Sequence, residues 1–166
     1  MNNMAKRTCT LLIAVVAAGL SSAAAAEGFT IRNLFFGGGP SVNSVSNSDN
    51  GTGIQAMGGY TFAEVAPKLY IDAEAGYLDT GNMRLRGPQV DQRDKGLWTT
   101  GVARYLVVPN IELLARAGVD VGDDDGAMFG IGAGFIASRN LKLRLEFVSR
   151  DKGDSLQFNV VFYPWR

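Results

Sequence analysis

The stretch LKLRLEFV (141–148) places Leu141, Leu143, Leu145 and Phe147 on one side of an extended chain. Lys142, Arg144 and Glu146 fall on the other side, because successive strand side chains leave on opposite faces. This period of two recurs along the chain, and it constrains the fold more than any other feature. KLYIDAEAGYL sets Leu69, Ile71, Ala73, Ala75 and Tyr77 against Asp72, Glu74 and Gly76. IELLARAGVDV sets Ile111, Leu113, Ala115, Ala117, Val119 and Val121 against Glu112, Arg116, Gly118 and Asp120. AMFGIGAGFIA opposes Phe129, Ile131 and Phe135 to Met128, Gly130, Gly132 and Gly134, and SLQFNVVFY opposes Leu156, Phe158, Val160 and Phe162 to Gln157, Asn159, Val161 and Tyr163. In LWTTGVARYLV the position of Arg104 sets the register against Ala103, Tyr105 and Val107. LFFGGGPSVN and GIQAMGGYTF read as weaker strands with no register assigned. The expectation is eight antiparallel strands.

The connections alternate in length. Short turns are expected at 63–67, 108–110 and 138–140, and longer polar connections at 43–52, 79–95, 122–126 and 150–154. An up-and-down sheet with all its tight turns at one end gives that order. Closing it into an eight-stranded barrel removes both edges. One face of such a barrel is apolar, and alternation alone leaves two choices. An apolar inside makes a soluble, lipocalin-like periplasmic carrier of an apolar ligand; an apolar outside makes a transmembrane β-barrel.

Three features favour the membrane. The polar face is rich in glycine, including Gly130, Gly132 and Gly134 in alternate positions. Its charges nearly balance, with Asp72, Glu74, Glu112, Asp120 and Glu146 against Arg104, Arg116, Lys142 and Arg144, so mutual pairing could satisfy a lumen charge network. Aromatic residues of the apolar face gather near the strand ends. Tyr60, Phe62, Tyr105, Phe135 and Phe162 lie toward the short turns, and Tyr77, Phe129 and Phe147 toward the loops, as in paired interfacial girdles.

The first 26 residues read as a cleaved secretory signal peptide: Lys6 and Arg7, an apolar run over 11–20, and Ala24-x-Ala26 before the cut. The barrel domain is then 27–166. The single Cys, Cys9, lies within the signal, so the exported part is expected to hold no disulfide. Leaving out Lys6 and Arg7 leaves 14 basic against 16 acidic residues. That balance lacks the basic surplus of nucleic-acid binding.

With these features the chain resembles the small eight-stranded outer-membrane barrels of Gram-negative bacteria, such as the membrane domain of outer-membrane protein A and the opacity-type surface proteins. The likeness rests on the signal peptide, FFGGGPSV, GGYTF, AEAGYLDTG and the aromatic-rich LQFNVVFYPWR. It implies both termini in the periplasm, longer loops outside the cell, and contact with outer-membrane lipid, lipopolysaccharide and the barrel-assembly machinery. In that family the last strand usually ends in an aromatic residue; here Phe162 and Tyr163 fit, and Pro164, Trp165 and Arg166 follow. No peptidoglycan-binding domain follows, so the anchoring role of longer relatives is not implied.

Enzymes of this architecture imply a catalytic His, and this chain has none. A Ser without a base is not an activated nucleophile, so no enzyme, cofactor or metal is expected. Asp123, Asp124 and Asp125 before Gly126 miss calcium-loop spacing, and the run reads as a tight acidic turn with positive φ at Gly126. Arg84, Arg86, Arg93 and Lys95 in the longest loop are candidates for contact with lipopolysaccharide phosphates or a host polyanion. The expected function is structural or surface-interaction, with a charge-plugged lumen. A narrow ion-conducting pore and the soluble carrier stand as alternatives.

Overall fold

In the computed structural model the described residues are 30–45, 50–84, 91–122, 125–151 and 153–166. The chain divides into two units, Met1–Ile31 and Arg32–Arg166. The proposed signal peptide and its cleavage point lie outside the described residues. A 3-10 turn, Ile31–Asn33, leads into strands β1 (Leu34–Val45), β2 (Gly51–Ala66) and β3 (Leu69–Asp79). Two-residue strands β4 (Met83–Arg84) and β5 (Asp91–Gln92) follow, then β6 (Lys95–Val108), β7 (Ile111–Gly122), β8 (Gly126–Ile136), β9 (Leu141–Arg150) and β10 (Gly153–Phe162).

Eight of these strands form a closed, all-antiparallel, up-and-down barrel in the order β1-β10-β9-β8-β7-β6-β3-β2. β4 and β5 pair with each other inside the long connection after β3. Closure runs through β1 and β10, with Phe36 opposite Phe162 and Val42 opposite Leu156. The ladder on this side has no pair at Gly39 or Pro40, where proline brings no N–H.

Several boundaries differ from expectation. Residues 63–66 belong to β2, not to a turn, and the turn is Pro67 and Lys68. Two irregularities between β2 and β3, at Thr61/Ala63 and Glu64/Ala66, break the alternation there, and bulges do that by inserting an unpaired residue. β9 runs through Arg150 and β10 starts at Gly153, so the connection expected over 150–154 is shorter. Positive φ falls at Gly122 (150°), not at Gly126, which is already inside β8. Asp125 Oδ1 accepts the Gly122 N–H at 2.6 Å and ties that turn. Asp123 and Asp124 lie outside the described residues.

The apolar face points outward. Ile131 is 67% exposed, and Leu97, Leu113, Phe129, Leu145 and Phe147 are exposed with it. Glu146, one residue from Leu145 and Phe147, is 0% exposed. A soluble carrier needs the reverse arrangement, and this finding removes that alternative. Tyr105, Phe135 and Phe162 lie exposed near the short-turn end, joined by Phe36 and Trp165, whose rings meet edge-on at 6.1 Å. Tyr77 and Phe129 are exposed toward the loop end.

Candidate functional site

Strand alternation sends one face of every barrel strand into the lumen, and eight strands leave a space that side chains can fill. The filling is stratified. Nearest the short turns, Arg104 is the hub of a four-charge layer. Its Nε and Nη2 donate to Asp72, the latter to Oδ1 at 2.9 Å, and its Nη1 donates to Glu112 Oε2 at 2.9 Å. Lys142 Nζ donates to the same Glu112 oxygen at 2.9 Å. Two aromatic rings flank this layer: the Arg104 guanidinium lies 5.5 Å from the Tyr70 ring, and Lys142 Nζ lies 5.2 Å from the Tyr163 ring.

The middle layer also holds two cations and two anions. Arg116 Nη2 donates to Glu74 Oε2 at 2.6 Å and lies 2.9 Å from Glu146 Oε2. Arg144 Nη1 donates to Glu74 Oε1 at 2.6 Å, and its Nε lies 3.1 Å from Glu146 Oε1. These four side chains come from β3, β7 and β9, and all are buried. Trp98 caps the layer, 5.0 Å from the Arg116 guanidinium. Toward the loops, Arg150 Nε donates to Asp120 Oδ2 at 2.7 Å. Each layer is therefore electrically neutral, the condition under which buried charge is tolerated.

The nine sequence-derived lumen residues are all buried in the structure, and the pairs above bring them together. Arg150 is the member that sequence reading missed. It is the fifth cation, balancing the fifth anion, and it falls in what reads as a loop over 150–154. Alternation carried two residues past Val148 would have put it on the Arg144 face.

The glycines of β8 explain how such long side chains fit. A Cβ on Gly130 would lie 2.9 Å from Arg116 Cγ, one on Gly132 would lie 2.8 Å from Glu146 Cγ, and one on Gly134 would lie 2.8 Å from Glu112 Cγ. The bare backbone of β8 is the bed on which the side chains of β7 and β9 lie. Opposite it, β1, β2 and β10 contribute uncharged groups. Gln55 Nε2 donates to Gln157 Oε1 at 2.8 Å and to Asn159 Oδ1 at 2.7 Å, and Asn159 Nδ2 donates to Glu146 Oε1 at 3.3 Å. The lumen is not wholly polar, and Met128, Val161 and Tyr163 lie on the lumen face as the alternation places them. Phe35, Met57, Leu78, Trp98, Met128, Val148, Val161 and Tyr163 form a buried cluster within it.

Of the loop candidates, Arg93 donates to both carboxylate oxygens of Asp79, and Lys95 Nζ lies 3.8 Å from Asp79 Oδ2. Asp79 ends β3 two residues beyond Tyr77 of the loop-end girdle. The hydrogen bond from Arg93 holds its carboxyl down at about 2. Arg86 lies outside the described residues, and Arg84 is described by its backbone alone.

Residues 16–150 match the family described as OmpA-like transmembrane domain. No curated protein sequence matches the chain. Among solved structures, the chain is similar to Ail, the attachment invasion locus protein of Yersinia pestis. The TM-score is 0.52 at 10% identity, covering 78% of this chain and 95% of that one. A second structure of Ail, in complex with the heparin analogue sucrose octasulfate, gives 0.51 at 12% identity over 78% and 95%. A de novo designed transmembrane β-barrel gives 0.51 at 20% identity, covering 78% of this chain and 94% of the design. At these identities the likeness is one of fold, and it agrees with the outward apolar face, the two aromatic levels and the family match. The chain belongs to the OmpA-like transmembrane domain family, whose members are outer-membrane β-barrels.

Proposed function

We propose that this protein is a non-catalytic outer-membrane barrel whose lumen is plugged by its own charges, and whose loops present an interaction surface outside the cell. The short turns then face the periplasm. The observation that carries the plug is the stack of neutral ion-pair layers: four buried charges, four buried charges, and the pair of buried Asp120 with part-buried Arg150. An ion crossing the barrel would have to separate pairs that are already desolvated, and breaking one such pair is costly.

One observation favours the narrow pore as a second reading. Arg116 Nε and Nη1, Arg144 Nη2, Arg150 Nη2 and Trp98 Nε1 are buried without a hydrogen-bond partner among the described residues. Buried donors of this kind are usually met by water, and a file of water is the start of an ion path. Planar-bilayer recording on the folded protein separates the two. The plug gives a flat baseline at applied voltages of either sign; discrete, voltage-independent channel events would establish the pore.

The surface role rests on the family and on the loops. Ail has been solved with a heparin analogue, so a barrel of this fold can hold a sulfated polyanion. Here Arg93 and Lys95 are engaged by Asp79, and a polyanion would compete with that carboxylate. Retention on heparin at low salt, lost in R84Q/R86Q/R93Q, supports the loop reading; no retention removes it.

A further inference from the structure

We infer that the short-turn rim of the barrel is a docking surface for anionic phospholipid headgroups. Among the described residues four basic side chains, Arg32, Lys68, Arg139 and Arg166, are exposed at this end, against one exposed side-chain carboxylate, Glu64. Among the described residues none of the four cations is ion-paired, since the pairs sit in the lumen or on the loop after β3. Glu64 is turned to the turn backbone, where Oε1 accepts the Lys68 N–H at 2.7 Å. The opposite end differs. There, among the described residues, Asp125, Asp151 and Asp154 are exposed, and the exposed Arg93 and Lys95 pair with Asp79.

Depth identifies the partner. Lys68 precedes Leu69, whose strand partner is Tyr105, and its carbonyl accepts the Leu106 N–H at 2.9 Å. Arg32 comes two residues before Leu34, the partner of Tyr60. Arg139 lies in the turn after Phe135 and Ile136. Arg166 follows Trp165, which packs on Phe36, and its guanidinium lies 5.0 Å from the Tyr163 ring at the lumen mouth. All four therefore sit one to four residues beyond the aromatic level. Interfacial aromatic rings mark the headgroup region, and long basic side chains just past them reach lipid phosphates. A cation near an anionic lipid surface gains about fivefold in association at low salt, and the gain fades within a Debye length. In the orientation proposed above, this rim meets the phospholipid leaflet.

The chain supplies its own reporter. It has two Trp residues. Trp165 is 43% exposed at this rim, and Trp98 is 2% exposed inside the lumen, out of reach of lipid. The full chain is folded into vesicles of equal phosphatidylglycerol and phosphatidylcholine, with bromine on the acyl chains of one lipid or the other. A heat-shift gel verifies closure in each sample. Brominated phosphatidylglycerol is expected to quench Trp165 more strongly than brominated phosphatidylcholine. The preference, about fivefold at low salt, falls toward one as salt rises and is reduced in K68Q/R139Q, which leaves Arg32 and Arg166 in place. It persists in D125N/D154N at the other end. Equal quenching by the two lipids at low salt overturns the inference. So does a preference that neither salt nor K68Q/R139Q reduces. The salt titration on the unaltered protein is decisive even if the variant fails to close, and no outcome depends on whether the lumen conducts.

Discussion

Replacing Arg144 by Met tests the lumen directly. Arg144 is 2% exposed and bridges Glu74 and Glu146. Its loss takes the middle layer from two cations and two anions to one cation and two anions. Arg116 Nη2, already 2.6 Å from Glu74 and 2.9 Å from Glu146, is then the only cation in that layer. Removing one partner from a buried pair costs about 3–5 kcal/mol, because the other charge stays desolvated. E146M errs the other way, leaving two cations and one anion, with a similar cost. R144M/E146M restores neutrality with one Glu74–Arg116 pair and two apolar side chains. The double variant should therefore cost less than the sum of the singles, with a coupling of about 3 kcal/mol, at the upper end for contacting residues. Equilibrium urea unfolding in phosphatidylcholine vesicles reads this, followed by Trp emission and by the unboiled gel. With a slope of about 2 kcal/mol per molar urea, each single lowers the midpoint by about 2 M. Singles that shift it by less than about 0.5 M would refute the reasoning. Losses that small are typical of solvated surface pairs, and they would mean a wet lumen in which the pore reading gains ground.

Four further outcomes follow from other parts of the barrel. L145R puts on the lipid face the side-chain type that Arg144 carries inside; it should destabilise the barrel by about 2–4 kcal/mol in vesicle unfolding if Leu145 lies near the bilayer centre, and no loss would argue against lipid contact there. G132A forces a Cβ to 2.5 Å from Leu145 O and 2.8 Å from Glu146 Cγ, for a cost of about 1–3 kcal/mol, whereas G101A, with nothing within 4 Å of its Cβ, should stay within about 0.5 kcal/mol of the parent. Q55L removes the two bonds that reach past β1 to β10, and amide exchange along the β1–β10 seam should quicken about tenfold, for about 1.4 kcal/mol of lost bonding, with β7–β8 amides unchanged as the control. The Asp79–Arg93 tie should survive acid: the native carboxyl sits at about 2, below its ordinary 3.8, so the stabilisation is fully present above that ordinary value and lost as pH falls through about 2. Protease nicking of the loop after β3 should stay constant from neutral pH down to about 4 and be higher in D79N across that range.

Strand existence and sidedness were legible because period two is a local property. Lys142, Arg144 and Glu146 against Leu143, Leu145 and Phe147 can be sorted without knowing what any of them touches, and so can Glu112, Arg116 and Asp120. Strand ends were less legible. The irregularities at Thr61/Ala63 and Glu64/Ala66 shift the alternation, so the end of β2 reads as a turn. β1 offers Gly37, Gly38 and Gly39 where side chains would fix a register. Arg150 lies on the Arg144 face, yet Ser149 and Asp151 around it look like loop. The full extent of the apolar cluster in the lumen was less legible for a different reason. Trp98, Met128 and Val148 stand on the polar face, where a single apolar residue reads as noise in the pattern, although Trp98 is what the Arg116 guanidinium stacks upon.

Pairing itself is not a local property at all. Glu74 and Arg144 stand 70 positions apart and meet at 2.6 Å because strand tilt and stagger in a closed barrel decide which lumen rows share a level. A sequence carries the sign and the face of each charge, but the stagger decides whether those charges cancel layer by layer or only in total. Here they cancel layer by layer. That distinction separates a plug from a pore, since charges that balanced only in total would leave layers of one sign and a field along the axis for ions to follow. The neutrality of each layer, made possible by the bare backbone of Gly130, Gly132 and Gly134, is therefore the physical basis of the proposed function.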